Sequence, residues 1–416
     1  MGPGGMNMKT NTNIKLPLSF ILYGLVALVV GEWIMFFSGD RLLLGTFRVP
    51  DIWMAAHFLL LGFAVMIAMG SMYQLVPAAF STPIWSESFG FVQLVVTAGG
   101  ITLFSILLGM NPKYALYGGI IAIGGILMFI VQMVMTILQQ KKKTIMTAFV
   151  LGALICFFLT FAAGFWLMWN IAFASITDHS TVLYSHIVLG VAGWFTLLIF
   201  GFSYKLVPMF SLSHSHSMKW AKPTFFTYIV GLFVMLGAFW TGSGLMRTIG
   251  WFLLFLGFVF FSLDIEAILA KRLRKNLDKP FSFTLLAICI GLGIHFLALL
   301  LDIISVDNPA IWGWLIFLYV TGWIIFSILG YLYKIVPFLW WSHKYSERRG
   351  KEKVPLPKDM VNEKLAVVLY ILFIIGSIGV VVAALCSLSP LVSFFQGLLA
   401  FSSLLYMVSI VRILMI

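Results

Sequence analysis

The sequence predicts an all-α polytopic membrane protein with twelve transmembrane helices in three four-helix repeats, and three observations predict it. First, the chain has 416 residues, of which 62% are hydrophobic and 10% charged, with a mean hydropathy of +1.06. Those values exclude a soluble globular domain. Second, the apolar residues gather into long runs, and a hydrocarbon core ~30 Å thick needs about 20 such residues per helix. Third, one short signature returns three times at nearly constant spacing.

Twelve runs qualify, at 17–38, 53–77, 84–109, 114–138, 145–170, 181–207, 222–241, 247–270, 281–303, 310–336, 364–386 and 390–414. Backbone polar groups must pair internally in lipid, and the alternation of a barrel strand is absent, so each run reads as a helix. The first run is too long for a cleavable signal peptide and lacks a small-residue cleavage site, so it is expected to remain as a spanning helix. The opening "MGPGG" is read as an extended start with no bearing on the fold.

The signature closes the second run of each repeat. It reads GSMYQLVP at 70–77, GFSYKLVP at 201–208 and GYLYKIVP at 330–337. The prolines are 131 and 129 residues apart (208 − 77 and 337 − 208). Four runs fit each interval, giving repeat units 17–138, 145–270 and 281–414 within a single integral membrane domain. Proline is expected to stop the helix. The tyrosine one turn earlier is expected at interface depth, with Lys205 and Lys334 snorkelling to the headgroups.

The formal net charge of +12 is topological in origin. Of 26 Lys and Arg, only Arg41, Arg48, Lys113 and Arg247 fall in the odd-numbered loops; the other 22 lie elsewhere. Positive residues stay inside. Both termini and the basic loop 339–362 are therefore expected in the cytoplasm, in a plasma membrane, with the lipid bilayer and no nucleic acid as partner. Cys156, Cys289 and Cys386 are far apart within runs and read as core residues. No phosphate-binding loop, nucleotide fingerprint, zinc-protease or nucleophile-base motif stands out.

The histidines sort by depth. His57 stands 20 residues before Pro77 and His186 stands 22 before Pro208, and nothing equivalent precedes Pro337. With His295 in the ninth run and His179 just ahead of the sixth, four of the seven histidines are expected in one layer near the outer face. Ionisable groups inside a bilayer are costly and point to function, and imidazole is a frequent heme and copper ligand. His57 and His186 are the candidate cofactor ligands, and His179, His186 and His295 the candidate metal set. Packing across a helix interface is the competing role for each. Gly62, Gly70, Gly190, Gly193 and Gly201 admit either a flat macrocycle or a neighbouring helix. His214, His216 and His343 belong to the cytoplasmic rim, where "SHSHS" is a poor metal site. Glu32 is expected to pair with an outer-side arginine, with proton handling as the alternative, and Asp264 and Glu266 to pair with "KRLRK".

The segments "HFLLLGFAVMIAMGSMYQLVP" and "SHIVLGVAGWFTLLIFGFSYKLVP", in this twelve-helix order, resemble the heme-copper oxidase subunit I superfamily. The second is also similar to C-type oxidases, nitric oxide reductases and NnrS-type proteins. "LYKIVPFLWWSHKYSERRGKEKVP" resembles the tenth-helix exit of small relatives of that group. The resemblance implies that His57, by position, is an axial ligand of a b-type heme and that His186 binds copper or non-heme iron. The family also has paired histidines in or near the seventh helix and His-x-His in the tenth; residues 222–241 and 310–336 contain none. A bis-histidine heme and a three-histidine copper site cannot both be built in the usual way. The expectation is a member keeping one heme or metal, in respiratory redox or nitric oxide handling, with an electron-donor or oxidase partner subunit. The alternatives are a non-redox transporter or an oxidase/copper assembly factor, or an active oxidoreductase using His179 or His295 as replacement ligands.

Overall fold

Apolar runs bounded by polar turns become helices because a chain in hydrocarbon has no other way to satisfy its backbone. The computed structural model describes residues 12–175 and 178–416; "MGPGG" lies outside the described residues. Among them, twelve helices are long and apolar enough to cross a membrane. They are α1 (Lys15–Phe37), α2 (Pro50–Phe80), α3 (Glu87–Met110), α4 (Pro112–Leu138), α5 (Ile145–Phe173) and α6 (His179–Ser211). Then follow α7 (Ala221–Thr241), α8 (Gly244–Ala270), α9 (Lys279–Ile303), α10 (Pro309–Lys344), α11 (Glu363–Leu385) and α12 (Ser389–Ile413). No strand occurs among the described residues.

The chain divides into two compact units. The first comprises Met1–Gln140, Asp278–Thr284 and Ile325–Ile416, and the second Lys141–Leu277 and Leu285–Ile324. In the first, α3 and α4 lie close enough that a Cβ on Gly100 would come 2.6 Å from Ala122 Cα, and one on Gly118 2.7 Å from Phe104 Cα. Small residues permit this approach where the hydrophobic effect supplies no drive between helices. In the second, α7 and α8 form the same kind of hairpin, Gly257 lying against Tyr228 and Gly250 against Met235. Its core is aromatic: Phe200 stacks on Phe261 at 4.0 Å and Phe157 on Trp194 at 4.2 Å.

The three signature helices differ from the others. Each contains a π-helical segment, Phe58–Val65 in α2, Val188–Phe195 in α6 and Tyr319–Ile325 in α10. These open 19, 20 and 18 residues before Pro77, Pro208 and Pro337 (77 − 58, 208 − 188, 337 − 319). A π turn re-aims side chains and often marks a functional region.

The prolines do not stop their helices. Pro77, Pro208 and Pro337 lie inside helices that continue to Phe80, Ser211 and Lys344. Proline removes one i→i−4 bond, and a neighbour can satisfy the freed carbonyl. The Tyr73 carbonyl, four residues before Pro77, accepts from Thr12 Oγ1 at 2.8 Å. The first two helices then end identically, in a left-handed residue four positions past the proline. Ser81 (φ 55°) and Leu212 (φ 53°) donate their N–H groups to the carbonyls of Pro77 and Pro208.

The signature tyrosines Tyr73, Tyr204 and Tyr333 are buried within the protein. Tyr73 donates to Gln93 Oε1 at 3.0 Å, Tyr204 to Asp264 Oδ2 at 3.1 Å, and Tyr333 lies 2.6 Å from Ser409 Oγ. A buried hydroxyl needs a partner, and an uncharged or acidic residue on a facing helix supplies it. Lys205 is exposed, whereas Lys334 forms an ion pair with Asp278 instead of reaching for headgroups.

Candidate functional site

α2 starts at Pro50 after extended Val49, with Asp51 in the first turn; proline at the first helical position and an early acid both favour a helix start. α6 starts behind Asp178, whose carboxylate accepts from the Thr181 N–H at 3.1 Å. Hydrogen bonds from the Thr181 side chain and then its backbone hold the Asp178 carboxyl below its usual value. These starts fix the register of the two candidate ligands. His57 is seven residues beyond Pro50, and His186 seven beyond His179, so each sits about two turns into its helix.

Both rings place Nδ1 on a backbone carbonyl, His57 within its own helix and His186 across to α5. His57 Nδ1 lies 2.7 Å from the Trp53 carbonyl oxygen, and His186 Nδ1 lies 2.8 Å from that of Thr160 on α5. A carbonyl can only accept, so Nδ1 carries the proton and, in the neutral ring, Nε2 carries the lone pair. Ligating imidazoles are held by this kind of outer hydrogen bond. His57 directly precedes the first π-helical segment, and His186 lies two residues before the second. The His57 ring meets Phe104 edge-on at 5.0 Å. Gly164 makes room for the other ring, since a Cβ there would come 3.0 Å from His186 Cε1.

His295 occupies a different setting, a buried polar cluster within the second unit. Its Nδ1 lies 2.8 Å from the Gly291 carbonyl, and its Nε2 lies 3.1 Å from Tyr228 Oη and 3.5 Å from Tyr319 Oη. Tyr319 Oη is 2.6 Å from Thr196 Oγ1, which also accepts from Trp323 Nε1 at 3.1 Å. The Thr196 hydroxyl in turn reaches the Val191 carbonyl at 3.3 Å, five residues back in the π-helical segment. One assignment satisfies every donor: Tyr228 to His295, Tyr319 and Trp323 to Thr196, Thr196 to Val191. The His295 lone pair is thus already engaged. Tyr228, Tyr319, Thr196 and Trp323 were not singled out by the sequence, because aromatic and hydroxyl residues blend into apolar runs.

His179 Nδ1 accepts from Asn170 Nδ2 at 3.0 Å, which puts the proton of its neutral ring on Nε2. His179, His186 and His295 therefore have separate partners, and among the described residues no three His, Cys, Asp or Glu side chains gather as a metal-binding group. On the rim, Ser213 lies 3.4 Å from His216 Nδ1 and donates to the Ile268 carbonyl at 2.7 Å.

Two acidic residues depart from the sequence expectation. Asp264 is buried and accepts from Tyr204 and from the Trp220 N–H at 3.2 Å, rather than pairing with the basic loop. Glu32 is 1% exposed and accepts from Gln396 Nε2 at 2.9 Å. Its partner is thus an amide, not an outer-side arginine. A lone glutamine in the apolar twelfth run was the sequence signal for it.

His57 and His186 fit the donor chemistry of a heme or metal ligand, each with Nδ1–H anchored on a carbonyl. The glycines around them serve helix packing instead. A Cβ on Gly62 would come 2.7 Å from Ala27 Cβ, and one on Gly193 2.9 Å from Cys156 Cβ. Room for a macrocycle therefore does not come from those positions. The chain matches no established protein family and no curated protein sequence.

Proposed function

We propose that the protein is a heme- or metal-binding integral membrane protein related to subunit I of the heme-copper oxidases and nitric oxide reductases. It lacks the full oxidase ligand set and acts in respiratory redox or nitric oxide handling. In this reading the twelve helices are three four-helix units in a plasma membrane, with both termini cytoplasmic and an electron-donor or oxidase subunit as partner. His57 is the ligand of a b-type heme, and His186 of copper or iron. The observation that supports it is the shared setting of the two rings, Nδ1 on a carbonyl at 2.7 and 2.8 Å beside a π-helical segment. Trp53 and Thr160 orient the imidazoles, and the surrounding apolar helices exclude water. A heme held there by a single imidazole would supply small-gas binding in preference to electron transfer.

The glycine contacts at Gly62 and Gly193 favour a second reading, a non-redox transporter or copper assembly factor of the same fold in which the histidines pack. Visible spectroscopy and metal analysis of freshly purified protein separate the two. The first reading expects a Soret band or a stoichiometric metal, lost or shifted in His57→Ala or His186→Ala at undiminished expression. Wild-type protein with neither, after expression with heme and copper supplied, overturns it.

A further inference from the structure

Glu32 on α1 and Gln396 on α12 belong to the first unit and are 1% and 0% exposed. One arm of each is paired, Gln396 Nε2 donating to Glu32 Oε2 at 2.9 Å. The other arm of each, Glu32 Oε1 and Gln396 Oε1, is buried without a hydrogen-bond partner. Two orphaned acceptors on side chains already joined by one hydrogen bond have one economical remedy. A proton on Glu32 Oε1 turns it into a donor, and its natural acceptor is Gln396 Oε1. A carboxylic acid and a primary amide then close a reciprocal pair in which all four polar atoms are used.

Charge leads to the same place. An ionised carboxylate inside hydrocarbon needs a compensating cation. The titratable groups on α1 and the elements packed against it are engaged elsewhere or remote. Arg41 lies 4.0 Å from Asp51 at the surface, and Asp40 shares the short helix Gly39–Leu43 with Arg41. On α2, His57 holds the Trp53 carbonyl and Tyr73 holds Gln93. On α3, Glu87 accepts from the Asn13 N–H. On α12, Tyr406 donates to the Leu329 carbonyl, and Arg412 lies in the last turn, far from Gln396. On α1 itself, Lys15 opens the helix at the other end and Tyr23 bonds Thr102. A metal cation would need more oxygen ligands than these two atoms provide.

We propose that Glu32 and Gln396 form a proton-binding site, in which one exchangeable proton bridges Glu32 Oε1 and Gln396 Oε1. Glu32 is five residues from the end of α1 at Phe37, about 8 Å along the axis at 1.5 Å per residue. The site therefore lies within reach of solvent at that end of the span. It is independent of any bound heme or metal.

Infrared difference spectroscopy of the purified protein in H2O and D2O tests this across a pH series. The expected result is a protonated-carboxyl C=O band that shifts on deuteration, fades as pH rises and is missing in Glu32→Gln. In Gln396→Leu, which removes the proton's acceptor while keeping the bulk, that band should move to higher frequency. Because the proton is held by the folded protein, wild-type thermal stability should fall as pH rises, and that of Glu32→Gln should not follow. A carboxyl band unchanged in Glu32→Gln, or its absence from wild type at every pH, overturns the proposal. So does a band whose loss depends on sodium or potassium rather than pH, which would make the site a cation site.

Discussion

The Tyr228 hydroxyl lies 3.1 Å from His295 Nε2, and both side chains are at most 1% exposed. Removing the hydroxyl with Tyr228→Phe leaves a buried acceptor unpaired, which costs about 1–3 kcal/mol. Thermal unfolding in detergent should show that loss. His295→Leu removes the acceptor and should destabilise separately, while the double variant should lose less than the two losses combined. Strict additivity would mean that the pair is not coupled.

Much of this fold is written in the sequence at low resolution. The twelve apolar runs fall on the twelve helices, with the largest difference at α10, which reaches Lys344 rather than ending near Pro337. That error has a physical origin. Proline suggests a stop, but a freed carbonyl can be satisfied by a hydroxyl, as Thr12 does for Tyr73. The π-helical segments were not legible, because a one-residue widening of a turn leaves the apolar composition unchanged. His57 and His186 were legible as outliers in apolar runs. Their hydrogen-bond settings were not, since the Thr160 carbonyl that orients His186 lies 26 residues away in the chain.

Lys334 and Asp278 form an ion pair with side chains 15% and 6% exposed, whereas Arg41 and Asp51 face each other at 4.0 Å with side chains 54% and 48% exposed. Asp278 also accepts from the Phe281 N–H at 3.1 Å, at the start of α9. Breaking a buried pair by removing one partner costs about 3–5 kcal/mol. An exposed pair contributes about 0–1 kcal/mol. Asp278→Ala should therefore lower the melting temperature clearly, and Asp51→Ala should barely change it. Equal shifts would contradict the difference in burial.

The α3–α4 hairpin predicts a sharp positional contrast. Gly100 faces Ala122, where an added Cβ would come 2.6 Å from a backbone atom, while Gly99 has nothing within 4 Å. Backbone cannot yield as a flexible side chain can, so Gly100→Val should sharply lower the yield of folded protein. Gly99→Val meets open space, and because valine ranks above glycine in helix propensity the change carries no propensity cost. Monodispersity on size-exclusion chromatography is the measurement, and equal behaviour of the two variants would refute the close contact.

The final prediction concerns orientation. Gly350 and Asp307 are both exposed and follow α10 and α9, so they lie at opposite ends of consecutive spans. The lysines and arginines divide 22 to 4 between the even-side and odd-side positions, and positively charged loops are retained in the cytoplasm. Of the three cysteines expected in the core only Cys156 is buried; Cys289 on α9 and Cys386 just past the end of α11 are exposed, so labelling requires a background in which the native cysteines are replaced by serine or alanine. In intact cells, a membrane-impermeant maleimide should modify Asp307→Cys and spare Gly350→Cys. Permeabilisation should then expose Gly350→Cys. The reverse pattern would invert the topology, placing the ends of α2 and α6 that carry His57 and His186 on the cytoplasmic side.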